Sequence, residues 1–412
     1  MSIVKILENI YWVGKVDNRK VPFHRLTLER GTTYNSYLLK TKLPTVIDTV
    51  DIEFSREYVE NLMKVINPEE LSYIVINHVE PDHSGALPAL AARAKNASIV
   101  TTELGALLLK DMFKLHNRKF IVVRDGDELD IGGKTLKFYE TPYLHTEETM
   151  ITYGVEDKIL FTCDIFSTHI ANNELFNDLA EGGYVEDFKV YYKLIMSPHR
   201  LKVRDMLEKI KKLDIKMIAP SHGYILRHNP HEFIKMYDEL SDIKGKEENK
   251  KVVIVYSTMT GNTAKLAGKL EEGLKGAGVE TIVFDLKNAD LDKVREKIAE
   301  ADGVLIGSST RYADMVGNTE DLLKSLVTEG VSDKFGAAFG SFGWSGEGIM
   351  HIENYLRKAG FTIIDNRFIL GRSGVDTQVF PLRVKFAQEE GMKLAEKAGR
   401  IFGEQILTHD KL

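Results

Sequence analysis

A single cysteine, Cys163, stands in a chain of 412 residues. One thiol excludes an intrachain disulfide, a four-cysteine iron site and a cysteine-ligated iron–sulfur cluster. Any electrons the protein handles must therefore come from another molecule or through an organic cofactor. Cys163 itself, at the end of an apolar strand, reads as a small buried hydrophobe and not as a redox thiol. Basic tracts are missing too. Lys and Arg number 55 against 61 Asp and Glu, a net charge of -6, and nothing offers the run of phosphate contacts that duplex binding needs. No apolar stretch is long enough to span a bilayer, and the opening MSIVKILENIYWVG lacks a signal-peptide apolar core followed by a cleavage site. These absences speak against nucleic-acid and membrane partners and for a cytoplasmic protein. Internal repeats and low-complexity segments are lacking as well.

What is present is enough chain for two or three domains. In the first half, short strands are expected at Ile10–Gly14, Ser36–Leu39, Thr45–Ile47, Tyr73–Asn77, Ser98–Thr101, Phe120–Val123, Thr135–Glu140, Lys158–Thr162 and Met217–Ala219. Helices are expected near Phe54–Val65, Leu87–Ala94, Leu104–Leu115 and Val203–Lys212. That order fits a layered αββα sandwich. Ser241–Lys251, rich in Lys, Glu, Asp and Asn with few apolar positions, cannot bury itself and reads as a linker. Beyond it, strands Val252–Tyr256, Thr281–Phe284, Gly303–Gly307, Phe335–Phe339 and Thr362–Ile364 alternate with amphipathic helices such as Thr263–Lys275 and Asp290–Ala299. Strict alternation predicts a parallel, doubly wound α/β sheet. The expected division is residues 1–248 and 249–412.

The run His78, Val79, Glu80, Pro81, Asp82, His83 puts four potential metal ligands into six residues after a short apolar strand. In zinc hydrolases of the metallo-β-lactamase superfamily the corresponding loop usually reads His, x, His, x, Asp, His, so Glu80 replaces an imidazole with a harder oxygen donor. That exchange favours iron and redox chemistry over zinc hydrolysis. Partners must come from elsewhere, and His145, Asp164 and His222 each follow an expected strand end. With residue types matched in this order, the chain resembles a flavodiiron protein, or A-type flavoprotein, an oxygen and nitric oxide reductase family, over essentially its whole length. The resemblance implies a metallo-β-lactamase-like αββα domain holding two irons, one at His78, Glu80 and His145, the other at Asp82, His83 and His222, with Asp164 as the bridge. Family members often follow the third ligand with Trp, Pro, Asp and Ser, whereas this chain continues Thr146, Glu147, Glu148, Thr149. The altered neighbourhood bears on the choice between O2 and NO. His24 with Tyr191 or Tyr192 resembles the pocket residues near the diiron site. His116, His228, His231 and His409 fit no ligand pattern.

In the second half, the strand ending at Tyr256 runs into Ser257, Thr258, Met259, Thr260, Gly261, Asn262 and Thr263, and a helix follows. Hydroxyls, backbone N–H groups and a helix N-terminus cradle a phosphate monoester without lysine, which is what FMN presents. Neither a Walker ending nor Gly-x-Gly-x-x-Gly is there. The loop resembles the flavodoxin phosphate loop S/T-x-T-G-x-T. Ser308, Ser309, Thr310, Arg311 and Tyr312 after the third strand, and Ser341, Phe342, Gly343, Trp344, Ser345 and Gly346 after the fourth, lie at the strand ends where such a flavodoxin-like sheet binds its ligand. Trp344 reads as a flavin contact.

Taken with the resemblance, the expected activity is reduction of O2 to water, with NO to N2O as a further substrate, at a diiron site supplied by FMN. The family pairs subunits head to tail, as a homodimer or a dimer of dimers, so that one subunit's flavin faces the other's irons. No donor domain is fused, which leaves a separate rubredoxin, a reductase or reduced coenzyme F420 as the external electron donor. The competing expectations are an F420-dependent oxidase of the same family and a zinc-dependent hydrolase carrying an appended flavodoxin module.

Overall fold

The computed structural model describes residues 3–23, 26–180, 182–242, 250–374 and 376–409. Two compact units divide the chain, Met1–Asp242 and Ile243–Leu412. The division expected at 248/249 lies outside the described residues.

The first unit is built on two sheets. One has seven strands in the order Val4–Leu7, Ile10–Trp12, Tyr37–Leu39, Thr45–Ile47, Tyr73–Val75, Ser98–Thr101, Phe120–Val122. The other has five, in the order Glu128–Asp130, Thr135–Glu140, Met150–Gly154, Ile159–Phe161, Met217–Ala219. Period-two alternation decides which way each side chain goes. Ile159 and Phe161, with Met217 and Ala219, point into a core shared with Trp12, Tyr37 and Leu39 of the facing sheet. Leu160 and Ile218 point the other way, into a second core with Phe188, Met206 and Tyr237. The outer face of the larger sheet is closed by the helices Ser55–Leu62, Leu87–Arg93 and Glu103–Phe113, which contribute Leu62, Leu90 and Leu109. The outer face of the smaller sheet is closed by Tyr184–Tyr191, Arg200–Ile210 and Pro230–Ser241. The result is the four-layer αββα sandwich expected, and each fully buried Leu, Ile or Phe contributes about 1.5–3 kcal/mol to it.

Several elements depart from expectation. The strand Met150–Gly154 was not foreseen; it is buried along its whole length, so it carries no polar alternation to announce it. Its neighbour Thr135–Glu140 pairs with it in antiparallel register from Leu136↔Gly154 to Glu140↔Met150. The helices Tyr184–Tyr191 and Pro230–Ser241 were also missed, and Ser241, expected in the linker, closes the second of them. Residues 243–249 of the expected linker lie outside the described residues.

The second unit is a parallel sheet in the order Glu280–Asp285, Lys251–Ser257, Gly303–Ser308, Phe335–Phe342, Thr362–Ile363. Phe335–Phe342 is longer than expected because a further strand, Leu382–Lys385, pairs with its second half in parallel, from Phe339↔Leu382 to Phe342↔Lys385. Ser341 and Phe342, read from sequence as loop, therefore end a strand. The helices Asn262–Gly276 and Glu389–Thr408 lie against each other at a distance only glycine permits. A Cβ on Gly399 would come 2.1 Å from Leu270 O, and one on Gly273 would come 2.0 Å from Glu396 O.

Candidate functional site

In the first unit, four chain reversals gather polar side chains at one rim of the sandwich. Tyr73–Val75 leads to His78, and Glu80 then holds an extended conformation before Pro81 opens the one-turn helix Pro81–Ser84. The fixed φ of proline at a first helical position turns the chain there, so Glu80 and the pair Asp82–His83 are delivered to different neighbours. Ile159–Phe161 leads to Asp164, Met217–Ala219 to His222, and the turn between Thr135–Glu140 and Met150–Gly154 carries His145. The His222 turn is pinned by Tyr37 of the facing sheet and by Asn35 just before that strand: Asn35 Nδ2 and Tyr37 Oη donate to Pro220 O at 2.8 and 2.6 Å. Gly223 has φ +76°, and a Cβ there would meet Thr168 Oγ1 at 1.9 Å, so no other residue fits behind the histidine.

Two groups of donors result. His78, Glu80, His145 and Asp164 form one, and Asp82, His83 and His222 the other; within each, one potential ligand atom per residue lies within 4.8 Å of all the rest. Asp164 also reaches the second group. Its Oδ2 stands 3.5 Å from His78 Nε2 and 3.3 Å from His145 Nε2, while its Oδ1 stands 3.4 Å from both His83 Nε2 and His222 Nε2. Asp82 Oδ2 and His83 Nε2 approach to 3.2 Å, fully buried, without making a sound hydrogen bond to each other. Buried ligand atoms crowded this closely, some of them without a hydrogen bond, are what a metal-binding donor set requires.

Without metal, this concentration of carboxylates shifts the imidazoles. Burial opposes charging His83 and His145, yet the adjacent carboxylates outweigh it. His83 is raised to about 10 by Asp82 and Asp164, and His145 to about 9 by Asp164 and Glu80. His78 is raised well above its ordinary value against the same burial by Glu148 and Glu80. Burial likewise opposes ionising Asp164 and Asp82, and the histidines hold both well below the usual carboxylate range. The metal-free site is thus a lattice of imidazolium–carboxylate pairs whose protons a cation displaces.

The second unit carries the other candidate site. Gly261, at φ +81°, turns the loop into the helix Asn262–Gly276. Thr263 is its hub: fully buried, its Oγ1 stands 3.0 Å from Ser309 Oγ and 2.9 Å from Ser341 Oγ, tying three expected ligand loops together. Met259 N donates to Ser309 Oγ at 3.3 Å, and Gly261 N to Thr258 Oγ1 at 3.0 Å. Beside them a pocket of about 240 Å³ is lined by Thr310, Tyr312, Ala313, Phe342, Gly343, Trp344 and Ser345. Trp344 is 92% and Tyr312 87% exposed, which leaves both rings open to a planar ligand.

Comparison with known proteins matches each unit separately. The family model for ODP family beta lactamases matches residues 32–223, and that for flavodoxins residues 254–399. A type A flavoprotein of Rhodobacter capsulatus is 33% identical over 416 residues, covering 98% of this chain and 91% of that one. A nitric oxide reductase of Moorella thermoacetica is 35% identical over 366 residues, covering 88% of this chain and 91% of the other. The solved rubredoxin oxygen:oxidoreductase of Desulfovibrio gigas aligns with a TM-score of 0.57 and 28% identity over 98% of each chain. The chain belongs to the type A flavoprotein, or flavodiiron, family.

Sequence reading named the residues that gather in the two donor groups but missed what holds them. Glu148, 4% exposed, accepts from His78 Nδ1 at 2.8 Å and from Val79 N at 3.1 Å. Burial pushes its carboxyl up, but His78 outweighs that and lowers it to about 2. Tyr191 donates its hydroxyl to Asp164 Oδ1 at 2.9 Å. Tyr192, the alternative pocket residue, faces elsewhere: its hydroxyl is 2.7 Å from Ser241 Oγ and its ring packs on Tyr237, because successive helical positions point about 100° apart. His24 lies outside the described residues. His169 was not anticipated; its Nδ1 is 2.9 Å from Thr32 Oγ1 and its ring lies 4.9 Å from that of His222 and 5.1 Å from that of Tyr191. Cys163 is buried, its thiol 3.7 Å from Met150 O.

Proposed function

We propose that this flavodiiron oxidoreductase reduces O2 to water, with NO reduced to N2O as a second activity. The observation that carries the reading is the pair of donor triads, each of two imidazoles and one carboxylate, joined by the buried Asp164. In this reading His78, Glu80 and His145 would hold one iron and Asp82, His83 and His222 the other, with the Asp164 carboxylate, which reaches both groups, shared between them. Glu80 supports iron over zinc, since a carboxylate takes the place of an imidazole, and this weighs against the hydrolase alternative. FMN is assigned to the second unit, its phosphate among Ser257, Thr258, Met259, Thr260, Gly261, Asn262 and Thr263. Ser309, Thr310, Arg311 and Tyr312 with Ser341, Phe342, Gly343, Trp344, Ser345 and Gly346 would hold its ribityl chain and ring. When bound, the pair of ferrous ions would supply two electrons, one from each, and reduced FMN two more, matching the four that one O2 consumes.

The chain's own residues have three tasks. Two of the ligand histidines would present Nε2 to a metal because Nδ1 is engaged: His78 by Glu148 and His222 by Thr33 O at 2.6 Å. Tyr191 holds a proton beside the bridging carboxylate, and burial raises its own hydroxyl well above the ordinary value, so that proton stays in place. His24 is the proposed proton donor, a role carried over from the resemblance alone. The electron donor is external: a rubredoxin, a separate reductase or reduced F420.

Because the two candidate sites lie on separate units, we assign electron transfer to a head-to-tail dimer, alone or as a dimer of dimers. Among the described residues no helix is long and apolar enough to cross a membrane. Anaerobic stopped-flow of the reduced protein against O2 and against NO, with metal analysis and a peroxide assay, tests the proposal. The expected result is O2 consumption without released peroxide, and slower NO turnover. Stoichiometric zinc with negligible iron in active protein would sink the redox reading; stoichiometric hydrogen peroxide, or turnover with NO only, would sink the O2 assignment.

A further inference from the structure

The two donor triads have the same composition, so their ligands alone would make the two metal positions equivalent. What stands behind the ligands differs. His78 Nδ1 donates to the carboxylate of Glu148 at 2.8 Å. On the other side, His222 Nδ1 donates to the neutral carbonyl of Thr33, and His83 Nδ1 makes no hydrogen bond. The remaining buried carboxylate nearby, Asp48, hydrogen-bonds to neither set of ligand histidines: it accepts from Asn77 N at 2.7 Å and Asn77 Nδ2 at 3.0 Å, and its charge is felt at both His83 and His78. A coordinated imidazole hydrogen-bonded to a carboxylate is a stronger electron donor than one bonded to a carbonyl.

Asp164 repeats the asymmetry independently. Its Oδ2 faces His78 and His145, and its Oδ1 faces His83 and His222. Tyr191 donates its hydrogen bond to Oδ1. A hydrogen bond accepted by a ligand oxygen draws charge away from the metal on that side, here the Asp82, His83 and His222 side.

Resting on the diiron reading above, we infer that Glu148 and Tyr191 act as positioning residues that grade the two metal positions electronically. The ion held by His78, Glu80 and His145 is the richer in donated charge and is the last to be reduced. The ion held by Asp82, His83 and His222 is the first to be reduced. Both effects push in the same direction, from residues outside the ligand set.

The test is a mediated reductive titration of the full-length, iron-loaded protein, read by electron paramagnetic resonance and Mössbauer spectroscopy so that iron is separated from flavin. Wild type is expected to take up its two iron electrons in two resolved steps. Glu148→Gln, which keeps an acceptor for His78 but removes the charge, should raise the lower potential. Tyr191→Phe should depress the higher one. The separation shrinks in each variant and most in the double variant, with two irons retained. A merely structural role would lower the melting temperature or iron retention and leave the separation unchanged, and that result in either iron-loaded variant overturns the inference. If Glu148→Gln fails to load iron, Tyr191→Phe alone decides. Wild type without two irons overturns the diiron reading and the inference with it.

Discussion

Thr263→Val is a near-isosteric change at the centre of the proposed flavin cradle. Thr263 is fully buried, and its hydroxyl alone links Ser309 Oγ at 3.0 Å to Ser341 Oγ at 2.9 Å. Valine fills the same volume with a methyl group and removes both links. At about 1 kcal/mol for each hydrogen bond, the loss is about 2 kcal/mol. Ser309 Oγ keeps Met259 N as a donor, so the larger disturbance falls on Ser341. Without the hub, the loops must be ordered by the ligand at the moment of binding. The lost energy then appears in the dissociation constant, up to about 30-fold weaker. Fluorescence quenching of FMN titrated with flavin-free protein measures this, and a thermal melt of the same protein measures how much of the loss falls on the free fold. Thr263→Ser, which retains the hydroxyl, should bind as wild type. If Thr263→Val leaves both the dissociation constant and the melting temperature unchanged, the three loops are not organised through Thr263.

Glu80→His should shift metal uptake from iron toward zinc and abolish O2 reduction while FMN stays bound; elemental analysis with an oxygen electrode reads both, and full turnover would show that Glu80 is not a ligand. The raised His83 and His145, at about 10 and about 9 in the metal-free site, stabilise that form fully below the ordinary histidine value of 6.5. The stabilisation is lost as pH rises through about 9 and then about 10, so the metal-free melting temperature should fall across that window and the gain on adding ferrous iron should widen. An equal gain at pH 7 and above pH 10 would contradict it. Mixing His145→Ala with a flavin-free variant should restore activity if sites pair across subunits; none after verified subunit exchange would favour transfer within one chain.

The run from His78 to His83 was legible because it is local: four donors in six residues, sited by one proline. His145, Asp164 and His222 were found as polar residues after strand ends, and their grouping came from resemblance, since nothing local says that residues 78 and 222 meet. Glu148 was visible only as a departure from the family's Trp, Pro, Asp, Ser segment. Its role depends on the unforeseen strand Met150–Gly154, which fixes the turn that aims it at His78. Tyr191 and Tyr192 could not be separated before the helix was placed, because adjacent aromatic residues at a helix end are chemically alike and differ only in the face they occupy. In the second unit the alternation of strand and helix gave the topology, but not Leu382–Lys385, whose pairing lengthens Phe335–Phe342 and turns an expected loop into strand.

Each unit closes its own core, around Phe161 and Leu160 in the first and around Val255 and Ile306 in the second. The two cofactors are therefore acquired by separate equilibria. A preparation made in a zinc-rich, iron-poor medium would be yellow with flavin, yet lack the iron that reduction of O2 to water is proposed to need. Colour reports on flavin and not on iron, so specific activities are comparable between batches only when normalised to bound iron.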